Sequence, residues 1–176
     1  MEDDDAPAGM SSASCAAGDD DGRQAAAEAY RRALGLLVRR EQSRRDLKRK
    51  LALRGVGAND AEAAVDRLAA QGFQDDARFA ASFARDRAAA GYGPVRIRQE
   101  LAGHGVDADG CEAALLACEG SWDERVATLV QRRHTPAELA DPARCRKAFE
   151  FLLRRGFEPA RAQAAIDARR RETADG

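Results

Sequence analysis

The sequence predicts an all-α protein, a tandem array of three three-helix repeats of about 50 residues each forming an elongated, curved, solenoid-like molecule. Three observations carry that expectation. Alanine supplies much of the 44% hydrophobic content while only 5% of residues are aromatic, a balance that favours thin, closely packed helices over a sheet. Apolar residues recur at helical spacing along the chain, in stripes closed by glycine. Finally, three of those closing glycines, Gly55, Gly105 and Gly156, stand 50 and 51 residues apart.

The stretch Tyr92–Val106 is the clearest copy of the repeat. Pro94 suits the first helical position, Ile97 and Leu101 lie four apart on one face, and Gly105 closes the helix ahead of an apolar Val106. Aligning on the glycine pairs Leu47, Leu51, Gly55 and Val56 upstream with Ala148, Leu152, Gly156 and Phe157 downstream. The register continues beyond the stop, with Val65, Leu115 and Ile166 ten residues after each glycine and Ala64, Ala114 and Ala165 nine after it. A constant period of this length means that each unit leans on its neighbour.

Taken in order, residues 1–22 form an acidic tail with almost nothing to bury, which is expected to be disordered. The first repeat, 23–72, opens with a stripe of Tyr30, Ala33, Leu34, Leu37 and Val38, continues with a helix capped by Ser43, and ends with a helix starting near Asn59 and Asp60 that buries Ala61, Ala64, Val65 and Leu68. The second, 73–120, begins GFQDDARFAASFARDR: Asp75 is the cap, Asp76 sits in the first turn, and Phe79, Ala80, Phe83 and Ala84 face inward. After the Tyr92–Val106 stretch a short helix runs from Asp109 to Glu119. The third, 121–172, has Ser121 as cap and Trp122, Val126, Leu129 and Val130 as its stripe; the connection HTPAELADPAR, a loop or short helical turn, leads to a helix resuming at Arg144 and a last one from Pro159 to Arg171. Residues 173–176 are a C-terminal tail.

Charge is unevenly distributed. The whole chain is at −1, but residues 1–22 hold seven acidic side chains and no basic ones, which leaves 29 basic against 30 − 7 = 23 acidic residues from Arg23 onward, about +6. That sign suits approach to nucleic acid or an acidic protein surface, and it is also what an ordinary solvated helical surface can carry. The densest stretch, Arg39–Arg54, has eight basic residues against Glu41 and Asp46. The candidate binding residues are therefore those of the second helices: Arg44, Arg45, Lys48 and Arg49 in the first repeat, Arg96, Arg98 and Gln99 in the second, and Arg144, Arg146 and Lys147 in the third, with Arg85 and Arg87 beside them. Phe149 and Phe151 interrupt the third set, which ranks below the others. Pro94, Ile97, Leu101 and the three glycines are structural.

Catalysis is not expected. His104 falls in the last turn of a helix, where it complements the dipole, and His134 borders the proline-containing connection, neither beside a nucleophile or acid partner. Cys15, Cys111, Cys118 and Cys145 form no CxxC pair, so no metal or cofactor is expected, and Cys111 and Cys118 read as core residues. No apolar run reaches the ~20 residues of a membrane helix and the N-terminus lacks a signal-peptide pattern, so a cytoplasmic location is expected.

The run GFQDDARFAASFARDR followed by GYGPVRIRQELAGHGV resembles the signature of the RecX family, bacterial regulators of the RecA recombinase. The resemblance spans about Tyr30–Ala168 and rests on the paired acids, the two phenylalanines, the Gly-Pro start, the Arg-Ile-Arg-Gln-Glu-Leu helix and the closing Gly-Val. It implies a monomeric, non-enzymatic protein of DNA repair, homologous recombination and the SOS response. Such a protein would bind in the groove of the RecA filament on single-stranded DNA, suppress its ATPase, strand-exchange and co-protease activities, and in addition contact DNA directly. A helical DNA-binding protein or a scaffold with another acidic partner is the alternative, since a helix, a Gly-Val turn and another helix also resemble helix-turn-helix units.

Overall fold

Glycine-closed apolar stripes leave the chain no alternative to helices, and a computed structural model describes residues 13–172 apart from residue 119, with side chains from residue 21 onward. The helices are α1 (Ala13–Leu37), α2 (Arg44–Ala52), α3 (Ala58–Ala70), α4 (Asp76–Ala89), α5 (Pro94–Gly103), α6 (Ala108–Leu116), α7 (Trp122–Arg133), α8 (Pro136–Ala140), α9 (Pro142–Arg155) and α10 (Pro159–Arg171). No strand occurs among the described residues. Three-helix groups follow one another as α1–α3, α4–α6 and α7 with α9 and α10, so the fold is a tandem all-α array.

Two units can be distinguished. The first comprises the chain through Arg40 together with Asp46–Gln74, and the second Glu41–Arg45 together with everything from Asp75 onward. In the first, Ala33 and Leu36 of α1, Leu47 and Leu51 of α2, and Ala61, Val65 and Leu68 of α3 form the core. The second holds two clusters, one from α4–α6 around Phe79, Ile97, Leu101 and Leu115, and one from α7–α10 around Val126, Val130, Leu152 and Ile166. Trp122 packs against both clusters and links them.

The three copies share one helix ending. Gly55, Gly105 and Gly156 adopt φ of 78°, 87° and 86°. In each copy the residue after the glycine donates back to the leucine carbonyl five residues earlier, Val56 to Leu51, Val106 to Leu101 and Phe157 to Leu152, all at 3.1 Å. The left-handed turn thus satisfies orphan carbonyls and folds the following apolar residue onto the leucine.

Several local expectations need correction. Structure begins earlier than expected: α1 starts at Ala13, inside the segment read as unstructured, because the alanine-rich run feeding Tyr30 lets the helix propagate upstream; residues 21–27 are exposed, and residues 1–12 lie outside the described residues. Val38, placed on the α1 stripe, is 80% exposed because α1 ends at Leu37, and Leu36 takes the inward position instead. The helix expected from Asp109 to Glu119 is α6, Ala108–Leu116, capped by Asp107, whose carboxylate accepts from the Gly110 N–H at 2.8 Å, and residue 119 lies outside the described residues; α3 starts at Ala58, beside Asn59 and Asp60 as expected. Of the two readings of the connection after α7, a loop or a short helical turn, the helix holds: the five-residue α8 is fixed by a capping box between Thr135 and Glu138 and anchored by the fully buried Leu139. By contrast Asp75 caps α4, accepting from the Ala77 and Arg78 N–H groups, and Ser121 caps α7.

The second unit contains a junction that no single repeat predicts. Gly93 and Val95, at the N-terminus of α5, donate their N–H groups to the carbonyls of Arg155 (2.8 Å) and Gly156 (3.1 Å) at the C-terminus of α9. Pro94, between them, has no N–H to satisfy. Orphan donors of one helix therefore meet orphan acceptors of another. The approach is too close for side chains: a Cβ on Gly93 would lie 2.4 Å from the Gly156 oxygen, and one on Gly156 would lie 2.4 Å from the Arg96 Cβ.

Two outcomes follow for stability. Gly156→Ala should cost about 1–3 kcal/mol for the left-handed backbone and a further increment for the clash with Arg96, whereas Gly55→Ala, which has open space around its Cβ, carries only the backbone cost. Equal shifts in denaturant midpoint for the two variants would show that the junction carries no energy. Deleting residues 1–22 should leave Tm almost unchanged, because among the described side chains, which begin at residue 21, the first buried one is Ala29; a large drop in Tm would place a packing contact in the removed segment.

Candidate functional site

The candidate surface is the set of cations that α2, α5 and α9 turn away from their buried stripes. On α2, Leu47 and Leu51 are fully buried, while Arg45 and Arg49 are exposed and Arg44 and Lys48 half-buried. Lys48 pairs with Glu62 of α3 at 2.6 Å, and Arg49 reaches Asp46 at 3.3 Å. Burial first, then the Arg40 charge, pushes the neighbouring Lys50 ammonium below its ordinary value.

On α5 the same arrangement recurs one period later. Arg98 pairs with Glu112 of α6 at 2.6 Å, as Lys48 does with Glu62, and Gln99 is exposed at the position of Arg49. The Arg98 guanidinium holds the Glu112 carboxyl below its ordinary range, and Glu112 in turn raises Arg98. The third copy departs from the pattern: Phe149 and Glu150 stand where Arg98 and Gln99 do, and Phe149 and Phe151 pack against the α7–α10 cluster. Arg146 and Lys147 of α9 are exposed, and Arg144 is drawn toward Glu138 at 2.8 Å.

Some sequence candidates are engaged inside the protein. Arg87 forms an ion pair with Glu100 at 2.6 Å and lies over the Tyr92 ring at 4.8 Å; Arg96 donates to the same Glu100 at 3.0 Å and lies over the same ring at 4.9 Å. Arg155, absent from the sequence candidates, completes the ring of cations at 4.7 Å from Tyr92 and donates to the Ala90 carbonyl at 3.0 Å. Arg133 and Arg155 also sit over Phe151. These guanidiniums lay their faces on aromatic rings and turn part of their edges to carbonyls and Glu100, so their first task is to hold the α5–α9 junction. Arg85 on α4 is exposed. No signal in the sequence marked Tyr92 as a hub, since its partners come from α4, α5 and α9.

The remaining suspects are structural. His104, at the C-cap of α5, packs edge-on against Phe79 and Phe83 with ring centroids 5.3 and 5.0 Å away. Burial pushes the Cys111 and Cys118 thiols up, the behaviour of core cysteines. Among the described residues no cluster of three or more His, Cys, Asp and Glu side chains could hold a metal ion, and no helix is long and apolar enough to cross a membrane.

Comparison with known proteins gives the arrangement a family. Residues 29–68 match the model of the RecX first three-helix domain and residues 75–115 that of its second three-helix domain. The regulatory protein RecX of Xanthomonas campestris pv. campestris (strain B100) is 53% identical over 127 residues, 72% of this chain and 78% of the relative. The chain belongs to the RecX family. The regulatory proteins RecX of Xanthomonas axonopodis pv. citri (strain 306) and Stenotrophomonas maltophilia (strain R551-3) are 54% and 50% identical over the same length. A crystal structure of RecX from Lactobacillus salivarius superposes with a TM-score of 0.72 at 21% identity, covering 83% of this chain and 97% of that one. A second RecX crystal structure gives 0.74 at 21% identity over 90% and 80% of the respective chains. At that identity the likeness establishes the shared fold.

The Arg98–Glu112 pair of this RecX-family chain makes a pH prediction. A carboxyl depressed in the folded state adds stability above its unfolded value, and that stability is lost as pH falls through the folded value. Glu112→Gln should therefore lower Tm at neutral pH, and its deficit should shrink on acidification from just below 4.5, the ordinary value of the carboxyl, until parent and variant melt together. A deficit that does not change with pH would mean that the pair adds nothing through charge.

Proposed function

We propose that this chain regulates the RecA recombinase by lying in the groove of the RecA filament on single-stranded DNA, where it suppresses ATP hydrolysis, strand exchange and stimulated repressor cleavage. The observation that carries this reading is the 50–54% identity, across 127 residues, to proteins named regulatory protein RecX. In this reading the protein acts as a monomer in the cytoplasm, and its effect is steric and conformational, with no chemistry by its own residues. The exposed cations Arg45 and Arg49, with Arg85, Gln99, Arg146 and Lys147, are the side chains offered to the filament and its DNA.

A second reading, direct binding to DNA without a recombinase, draws support from the eight basic residues between Arg39 and Arg54, of which Arg45 and Arg49 are exposed. Salt separates the two. A DNA-directed protein binds naked DNA strongly with a steep salt slope, whereas a filament regulator prefers recombinase-coated DNA at equal salt.

The direct test is RecA ATPase on single-stranded DNA with this protein titrated in; the expected result is progressive, saturable loss of ATP hydrolysis. The double reversal Arg45→Glu and Arg49→Glu spares Lys48 and its partner Glu62, and should leave helicity intact while raising the concentration needed for inhibition. The log–log salt slope of its binding should fall by about 0.7–0.9 for each phosphate that the variant no longer neutralises. Unchanged inhibition and slope would move the functional face away from α2.

A further inference from the structure

Between α5 and α9, over the Gly93–Gly156 junction, lies an open groove of about 330 Å³ whose apolar floor the proposed function does not use. That floor is aliphatic: Val95 is half-buried, and Leu153 is 38% exposed, turned about 100° around α9 from the buried Leu152. Arg154, with its side chain 69% exposed, stands on one wall, and Arg96 and Gln99 stand on the other. Glu100 also lines the groove, where its charge is shared between the ion pairs with Arg87 and Arg96. Arg96 and Arg154 of the lining, with Arg87 beside Glu100, make three guanidiniums against two carboxylates, Glu100 and the Glu150 that lies 3.9 Å from Arg154, which leaves the groove net positive.

We propose that this groove docks an acidic protein segment that places one aliphatic side chain on Val95 and Leu153 and carboxylates against Arg154 and Gln99. The chemistry distinguishes this occupant from a nucleic acid strand. A phosphate backbone gains from cations alone and leaves an aliphatic floor unpaired, whereas the combination of an exposed leucine with a guanidinium at the next position matches a peptide carrying both an apolar anchor and negative charge. The junction beneath supplies a rigid base, because the α5 N-terminus and the α9 C-terminus are bonded to one another through their backbones. Docking of this kind shares Gln99 with the filament reading and otherwise stands apart from it, since it concerns a protein ligand on Val95, Leu153 and Arg154 and requires no recombinase.

The test is fluorescence anisotropy with the full chain and labelled probes: a short peptide of glutamates around a single leucine, the same peptide with serine for the leucine, and an oligothymidylate. The leucine peptide should bind saturably and the serine peptide about tenfold more weakly, the value of burying one aliphatic side chain. Leu153→Ser and Arg154→Glu should each weaken the leucine peptide about tenfold while keeping the parent's circular dichroism, as befits exposed positions. If Leu153→Ser fails to fold, Arg154→Glu carries the test. Absence of binding, equal binding of the two peptides, or undiminished binding by the folded variants overturns the proposal. Loss of oligothymidylate binding in Arg154→Glu with the peptide unaffected also overturns it and marks a phosphate site. RecA inhibition measured on the same variants reports separately on the proposed function.

Discussion

The second unit depends on the meeting of two helix ends. Every α-helix leaves N–H groups at its start and carbonyls at its end without internal partners, and burying them unpaired is costly. Here Gly93 and Val95 donate to Arg155 and Gly156, so α5 and α9 each complete the other. The solution demands glycine at both contact points, since either Cβ would fall within 2.4 Å of an atom across the junction. Two repeats that each have their own apolar cluster become one unit through a contact made almost wholly of backbone, with Trp122 packed against both clusters.

The arginines around Tyr92 follow from the same constraint. A junction of backbone atoms offers little apolar area, and the flat guanidiniums of Arg87, Arg96 and Arg155 cover it by lying on one ring while bonding Glu100 or a main-chain carbonyl. Charge that looks like ligand-binding capacity in the sequence is in part cement. What is left for a partner is the outward face: Arg45 and Arg49 of α2, Gln99 of α5 and the exposed cations of α9. The repetition of one internal pair, Lys48–Glu62 and Arg98–Glu112, and its loss in the third copy, where Phe149 turns to the core, show the repeats diverging at the surface while their buried stripes stay in register.

The repeat itself was legible without coordinates. Glycine is the residue that takes a left-handed turn without strain, leucine or isoleucine at fixed offsets before it must face inward, and a helix face recurs every three or four residues; Gly55, Gly105, Gly156, Ile97, Leu101 and Asp75 could be placed on those grounds, and the structure sets each where local chemistry requires. The short α8 had also left a trace, since Thr135, Pro136 and Glu138 spell a capping box with proline at the first position. These are short-range rules, written within one or two turns of chain. The α5–α9 junction and the seat of Arg155 on Tyr92 join residues some 60 positions apart, as Gly93 and Gly156 are, and the pairs that occupy Lys48 and Arg98, with Glu62 and Glu112, join different helices. Only tertiary structure could decide them, because partner choice between distant helix ends depends on how whole helices pack, and no local pattern in the sequence encodes that geometry.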